Sequence, residues 1–554
     1  MLFGFQASSE AIKKRLTAGE PDAGRAHDRH LFVPVKTIAA SPEACLPETA
    51  GTPIRTGRVR IAQEREKVNQ IFMILLFFLQ KFDAYIIIYL LQCYSHSLFQ
   101  CGQSTGSVLN IPFRAICCAP AARYLIIRKG KHMNYKESLE YINSTTWFGG
   151  EPGLGRTRAL LSALGEPQKA FRAVHIAGTN GKGSCAAMTA SVLKAAGYRT
   201  GLFTSPYLHR FNERMQINGR EIEDEALAEH ATAVRKAAEA MAEHPTAFEM
   251  MTACAFLWFA AQHCDIAVLE TGLGGRYDAT NSIEGPEACV IMNIGLDHTR
   301  ILGNTISEIA AEKAGILKPD CDCVLYRQSR EAEAVIEETC RRLGARLHRA
   351  DFSRIEPEFD SLDGQVFSYR GEPYAIPLVG AYQRRNAATV IEAIDVLREK
   401  GWKISREALE HGLYAVSWPA RFEVLSDDPY FILDGGHNPQ CAEELAENLL
   451  HYFPGQKRIL LAGVMKDKDY ASIFSLLRSV SDEICCVTPD SPRALPAEDL
   501  AAFLRSAGWK ASAYPSVAEG VSAATDRAKE TGGMVCAAGS LYLAGPIREL
   551  FGCY

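Results

Sequence analysis

The chain has 554 residues, long enough for about three domains, with 47% hydrophobic and 23% charged residues, the balance of a globular protein. A net charge of -5 is small for that length and excludes a general electrostatic attraction to nucleic acid or to an anionic membrane, so any basic site must be local. The 17 cysteines are scattered without paired Cys-x-x-Cys metal spacing, and they read as reduced thiols of a cytoplasmic protein.

Residues 1–132 differ from the rest. Glu10 to Arg65 is polar and basic with little periodicity, and two apolar runs follow, Ile71 to Leu79 and Ala84 to Leu91. Together they are long enough to cross a bilayer. Lys81 and Asp83 would then sit near its middle, at about 2.5 kcal/mol or more each. A membrane span is therefore the lesser reading. Met133 opens a clean amphipathic helix just after Arg128, Lys129, Gly130 and Lys131, whose codons can be purine-rich. The expectation is that Met133 is the natural start and that 1–132 is translated upstream DNA, without a recognised fold. The N-terminal mass of the native protein tests this.

From Met133 short apolar strands alternate with helices. Strands are expected at 173–177, 266–270 and 289–293, and helices at 185–196, 223–242 and 248–262. A second series supplies strands at 430–433, 458–462, 483–487 and 534–538, with helices at 441–452 and 497–507. Such alternation predicts an α/β protein with parallel sheets covered on both faces. The expected division is a nucleotide-binding domain at 133–416, a linker at 417–429 around Trp418 and Arg421, and a smaller Rossmann-like α/β domain at 430–554.

The strongest motif is GTNGKGS at 178–184, between a strand and a helix. Glycines let backbone N–H groups wrap phosphates, the helix N-terminus adds its dipole, and Lys182 supplies positive charge. Ser184 follows the lysine as a hydroxyl that could meet Mg²⁺. The pattern departs from the general P-loop: Ile176 stands at its first glycine, and Gly183 separates Lys182 from Ser184.

GTNGKGS after a strand resembles the nucleotide loop of the folylpolyglutamate synthase/dihydrofolate synthase family, relatives of the Mur ligases. Further matches follow in order: FTSPYL at 203–208, LETGLGGRYDATN at 269–281, NIGLDHT at 293–299, EKAGI at 312–316, Arg421, LDGGHNP at 433–439 and GSLY at 539–542. The resemblance runs from about Met133 to the C-terminus. It implies a P-loop Mur-ligase-like central domain and an ATP-dependent ligation of L-glutamate to a folate or dihydropteroate carboxylate through an acyl phosphate. It also implies small-molecule substrates and a monomer, while the small net charge speaks against nucleic acid and the charges at Lys81 and Asp83 against a membrane.

By the same resemblance Asn180, Gly181, Lys182, Gly183 and Ser184 contact ATP, with Asn386, Arg421 and Asp434. Ser205, Glu270 and His298 are the implied Mg²⁺ ligands, for two ions. Alone, Ser205 would read as a turn residue and His298 as a capping or core histidine. Lys313 is implied to be carbamylated, which first requires a neutral amine and so a depressed pKa; without the resemblance it reads as a solvated helix lysine. His437 and Asn438 would touch acyl phosphate or glutamate, or simply cap a helix with Pro439 at its first position. The pterin end is implied at Gly153, Leu154, Gly155, Phe248, Glu249, Tyr277, Asp278 and Ala279. Phe248 could equally be core, and Asp278 a cap or a partner of Arg276. Three positions depart from the family pattern: Tyr382, Ala420, where glycine is usual, and Gly436, where alanine is usual. Competing readings are a Mur-type cell-wall ligase, which would need a UDP-binding domain before the loop, and a membrane-tethered ATP-binding regulator, which would lack catalytic groups.

Overall fold

The computed structural model describes residues 132–146 and 153–554. The expectations for 1–131, including both apolar runs, lie outside the described residues. Among the described residues no helix is long and apolar enough to cross a membrane.

Helix α1 (Tyr135–Ser144) starts where Asn134 accepts from the Glu137 amide and Glu137 answers to the Asn134 amide, a closed capping box. An eight-stranded sheet follows. Its strands are β1 (Arg172–Ala177), β2 (Thr200–Phe203), β3 (Met215–Ile217), β4 (Arg220–Glu221), β5 (Ile266–Glu270), β6 (Ala288–Ile291), β7 (Asp322–Leu325) and β8 (Arg346–Arg349). They are ordered β4-β3-β2-β5-β1-β6-β7-β8, parallel except for β3 and β4 at one edge. Alternation along the strands sorts the core. Val174, Ile176, Val268 and Val290 face α2 (Lys182–Ala195). Ala173, Ala267 and Leu269 face α3 (Ala247–Ala261), whose Phe256 and Phe259 are fully buried. Both faces are covered, which is why the strands read as continuous apolar runs.

Beyond α4 (Ile306–Ala314) comes a three-stranded antiparallel sheet of β9 (Ile355–Ser361), β10 (Gly364–Tyr369) and β11 (Glu372–Ile376). Helix α5 (Ala381–Glu399) returns to the first sheet. A six-stranded sheet closes the chain: β12 (Glu423–Asp427), β13 (Tyr430–Leu433), β14 (Arg458–Ala462), β15 (Glu483–Cys486), β16 (Ala511–Ala513) and β17 (Met534–Ala538), ordered β12-β13-β17-β14-β15-β16. β13 leads into α6 (Pro439–Tyr452), and the last helix is α7 (Ala544–Leu550).

Two features were not legible as elements. β12 lies inside the segment expected to be a linker; it is a half-buried polar edge strand, antiparallel to β13, without an apolar run to mark it. The outer strands β9 and β11 carry charges, β9 meets β10 through a bulge, and pairing on the buried β10 makes them strands.

The topology prepares the site. β1 lies between β5 and β6, with Ile176 level with Glu270 and Val290, so the loops leaving the carboxyl ends of these strands converge. In parallel sheets this crevice is where ligands bind. β13, β17 and β14 are also parallel neighbours, which gathers Asp434, Gly539 and the loop to Lys468.

Candidate active site

The glycine loop leaves β1 and enters α2 at Gly181, whose φ of 82° suits glycine. A β-carbon there would meet the Asn386 side-chain oxygen at 2.8 Å. The Asn386 amide donates to Gln383 (3.0 Å), and Gln383 donates to the Ser184 hydroxyl (3.4 Å), so Ser184 is buried against α5. Gly183 has its own reason: a β-carbon would lie 2.7 Å from the Trp418 ring. The glycine that breaks the general P-loop pattern thus makes room for the segment joining the two larger sheets. Lys182 Nζ donates to the Thr179 carbonyl at 3.1 Å.

Asn180 faces the domain of the six-stranded sheet, the second of the two larger sheets. It exchanges hydrogen bonds with Asn438 (2.8 and 3.3 Å) and donates to Gln440 at 2.9 Å. Asn438 also caps α6, accepting from the Cys441 amide at 3.0 Å, with Pro439 in the first turn. Capping and contact across the cleft are therefore both true of Asn438.

Glu270 ends β5, buried, and accepts from the Ser205 amide at 3.1 Å. Burial raises its pKa, opposed by Lys182, the Ser205 amide, Arg421 and Arg214. His298 has φ 50° at the start of a short helix, and partial desolvation with Lys468, Lys182 and Lys313 nearby lowers it to about 4. Among the described residues no three His, Cys, Asp or Glu side chains form a metal cage. A carboxylate beside a serine still suits a hard divalent ion that keeps waters and phosphate oxygens as its other ligands, so the residues present fit Mg²⁺. Lys313, on α4, is buried and donates to the Gly178 carbonyl at 2.7 Å. Burial first, and then Lys182, brings its pKa down to about 7.

Asp297, Lys468 and Gln440 were given no role from the sequence. Asp297 takes Lys468 Nζ at 2.5 Å and Asn438 Nδ2 at 3.3 Å, with His437 Nε2 at 3.8 Å. Despite partial burial, Lys468 above all, with His298 and His437 beside it, holds its carboxyl well below the usual range. The same burial lowers His437 to about 4, and its Nδ1 lies 3.1 Å from the Gly435 carbonyl. Asp297 stands in the NIGLDHT motif beside His298, which was a usable signal; Lys468 stands in a charged turn that reads as solvated. Asp434 accepts from the amides of Phe422 (3.0 Å) and Gly436 (2.7 Å), and so shapes the loop around Arg421. Ala420, where glycine was expected, has φ 58°.

The pterin-side expectations land differently. Gly153 and Leu154 precede a helix that starts at Gly155. From that helix Arg156 and Thr157 donate to Glu249 (3.3 and 3.1 Å), and the Thr246 amide adds 2.7 Å. Glu249 is thus engaged inside the protein. Asp278 accepts from the Leu273 and Thr280 amides and the Thr280 hydroxyl, while Arg276 pairs with Glu312. Ala279 is buried. Phe248 packs tilted on Phe203 at 5.9 Å and covers Gly272, and Tyr277 is 51% exposed.

Comparison with known proteins follows the same geometry. The Mur ligase middle domain matches residues 176–394, and the Mur ligase glutamate ligase domain matches 420–541. The dihydrofolate synthase/folylpolyglutamate synthase of Bacillus subtilis is 39% identical over 431 residues, 75% of this chain and 98% of that protein. The folylpolyglutamate synthase of Lacticaseibacillus casei is 36% identical over 431 residues, 75% of this chain and 98% of its own. The Mycobacterium tuberculosis folylpolyglutamate synthase complexed with ADP and AMPPCP superposes with a TM-score of 0.70 at 31% identity, covering 76% of this chain and 99% of that one. E. coli FolC in complex with DHPP and ADP gives 0.68 at 30%, covering 76% and 98%. The loop, the two sheets and these relatives together establish that the chain belongs to the folylpolyglutamate synthase/dihydrofolate synthase family of Mur ligases.

Proposed function

We propose that the protein is an ATP-dependent ligase joining L-glutamate to a folate-type carboxylate, with the acid activated as an acyl phosphate. The observation that carries this reading is the cleft itself. The phosphate loop hydrogen-bonds through Asn180 to Asn438 and Gln440 of the second sheet, and Lys182, Glu270, Asp297 and Lys468 lie around it. A carboxylate is a poor electrophile and its phosphorylation builds negative charge, so the protein's task is positioning and charge neutralisation.

Lys182 is read as the cation for ATP phosphates, with the loop amides beside it. Arg421 and Asn386 would hold the nucleotide, and Asp434 sets the Arg421 loop. Ser205, Glu270 and His298 would hold Mg²⁺, which when bound polarises phosphoryl oxygens. Lys313, with its pKa near 7, is largely deprotonated above neutrality, and a neutral amine is what reacts with CO₂. That supports carbamylation at Lys313. His437, held neutral beside Asp297, is read as a contact for the acyl phosphate or the incoming glutamate. We read the protein as a monomer acting on small molecules.

The test is phosphate release from ATP by residues 133–554 with glutamate, adding dihydropteroate or tetrahydrofolate separately. Release with both means a bifunctional enzyme, and release with one assigns the acceptor. Release with neither, from this chain or from the full one, sinks the folate reading.

A further inference from the structure

The loop between β2 and β3 carries Ser205; Arg210 and Asn212 tie its far end to Asp224, and Glu213 gathers its middle. Glu213 accepts from the amides of Leu208, His209 and Arg210, each at 2.7 Å. Capping the short 3-10 turn that follows needs only the Arg210 amide. The other two bonds bind the loop itself, and charge-assisted bonds to one carboxylate are the stronger kind. On its inner side this loop presents the Ser205 amide to Glu270 at 3.1 Å. On its outer side it seats α7: a β-carbon on Gly545 would lie 2.2 Å from the Leu208 carbonyl. Leu208 packs against the core that holds Leu541, Ala544 and Ile547, and His209 Nδ1 lies 3.3 Å from Glu549. Leu541, just before α7, is equally close to the nucleotide side. A β-carbon on Gly435 would meet Leu541 at 2.2 Å and Arg421 Nη1 at 2.6 Å.

We propose that Glu213 is a positioning residue for ligation. By holding the 208–210 amides, it makes one rigid loop serve both the Ser205–Glu270 contact and the seat of α7. The closeness of the second sheet's Arg421 loop is thereby coupled to the geometry at Ser205. The proposal rests on reading Ser205 and Arg421 as parts of the ligase site.

The test uses the full chain with E213Q, G545A and the double substitution. E213Q keeps one acceptor oxygen and turns an amide toward the backbone donors. Hydrogen exchange at the Leu208, His209 and Arg210 amides is expected to accelerate about 10-fold or more. The kcat for ligation is expected to fall about 10-fold with KM for glutamate nearly unchanged, since misplacement of reacting groups acts on the transition state. G545A is expected to reproduce the kcat loss, and the double substitution to lose no more than the larger single one. Unchanged exchange in E213Q overturns the anchoring. Faster exchange with unchanged kcat, or losses that multiply in the double, overturns the coupling. If E213Q does not fold, G545A decides alone, and an unchanged kcat there overturns the proposal. An inactive parent chain would instead overturn the ligase reading, and the exchange measurement stands apart from it.

Discussion

Asp297 and Asp322 make an instructive pair. Both carboxyls are held below the usual range, Asp297 by Lys468 with His298 and His437 beside it, Asp322 by His348, Arg346 and Lys400; Asp322 is buried and Asp297 half-buried. Asp322 takes Arg346 at 2.8 Å, His348 at 2.9 Å and Lys400 at 3.0 Å, and it begins β7. Asp297 follows the carboxyl end of β6, and its lysine comes from the second sheet. The chemistry is alike and the placement is opposite. At the amino end of a parallel strand a carboxylate ties neighbouring elements; at the carboxyl end it faces the crevice where ligands bind. Location, more than composition, separates a structural cluster from one that acts.

Substitutions can break that contrast. The largest effect lies outside the pair and sets its scale: Lys182→Ala is expected to lower kcat about 10³-fold by removing the loop's cation. A loss below 10-fold by phosphate release would remove Lys182 from the chemistry. Asp297→Asn should follow, with kcat down about 10²-fold and some loss of stability besides, since its carboxyl is also held below the usual range. Unfolding of that variant at lower temperature with normal turnover would put Asp297 in the same class as Asp322.

Asp322→Asn should show the inverse. Removing the carboxylate leaves Arg346 and Lys400 without their counter-charge, at a cost of about 2 kcal/mol, the lower side for a buried pair because Arg346 is largely exposed. Turnover should stay near that of the parent. The folded pKa is depressed, so the contribution is complete above about pH 4 and is lost as pH falls through the folded value. Urea midpoints of parent and variant should therefore converge in acid; a constant gap to pH 3 refutes this origin. The smallest effect is expected for Ala420→Gly. It relieves left-handed strain of about 1 kcal/mol and removes a buried methyl of about 0.8 kcal/mol, so the two nearly cancel. A melting shift beyond about 3 °C would mean that the methyl itself sets the linker.

Much of this was legible in the chain. β1, β5, β13, β14 and β17 are apolar runs because both faces of their sheets are covered, and a run of that kind announces itself. The glycine loop was legible because its function restricts residue type. β9 and β12 were not, since polar edge strands depend on their partners. Glu249 looked like an open carboxylate, because nothing local shows that Arg156 and Thr157 occupy it, whereas Asp278 caps its own short turn through Thr280, the alternative its sequence offered.

By itself the sequence determined the α/β alternation, the phosphate loop and the family, because hydrophobic period and glycine placement are local properties of the chain. Tertiary structure alone decided that Lys468 would reach Asp297 across 171 positions, that Trp418 would need Gly183, and that Glu213 would hold three amides of one loop. Those contacts depend on strand order, which brings distant loops to one crevice and leaves no mark in the residues on either side.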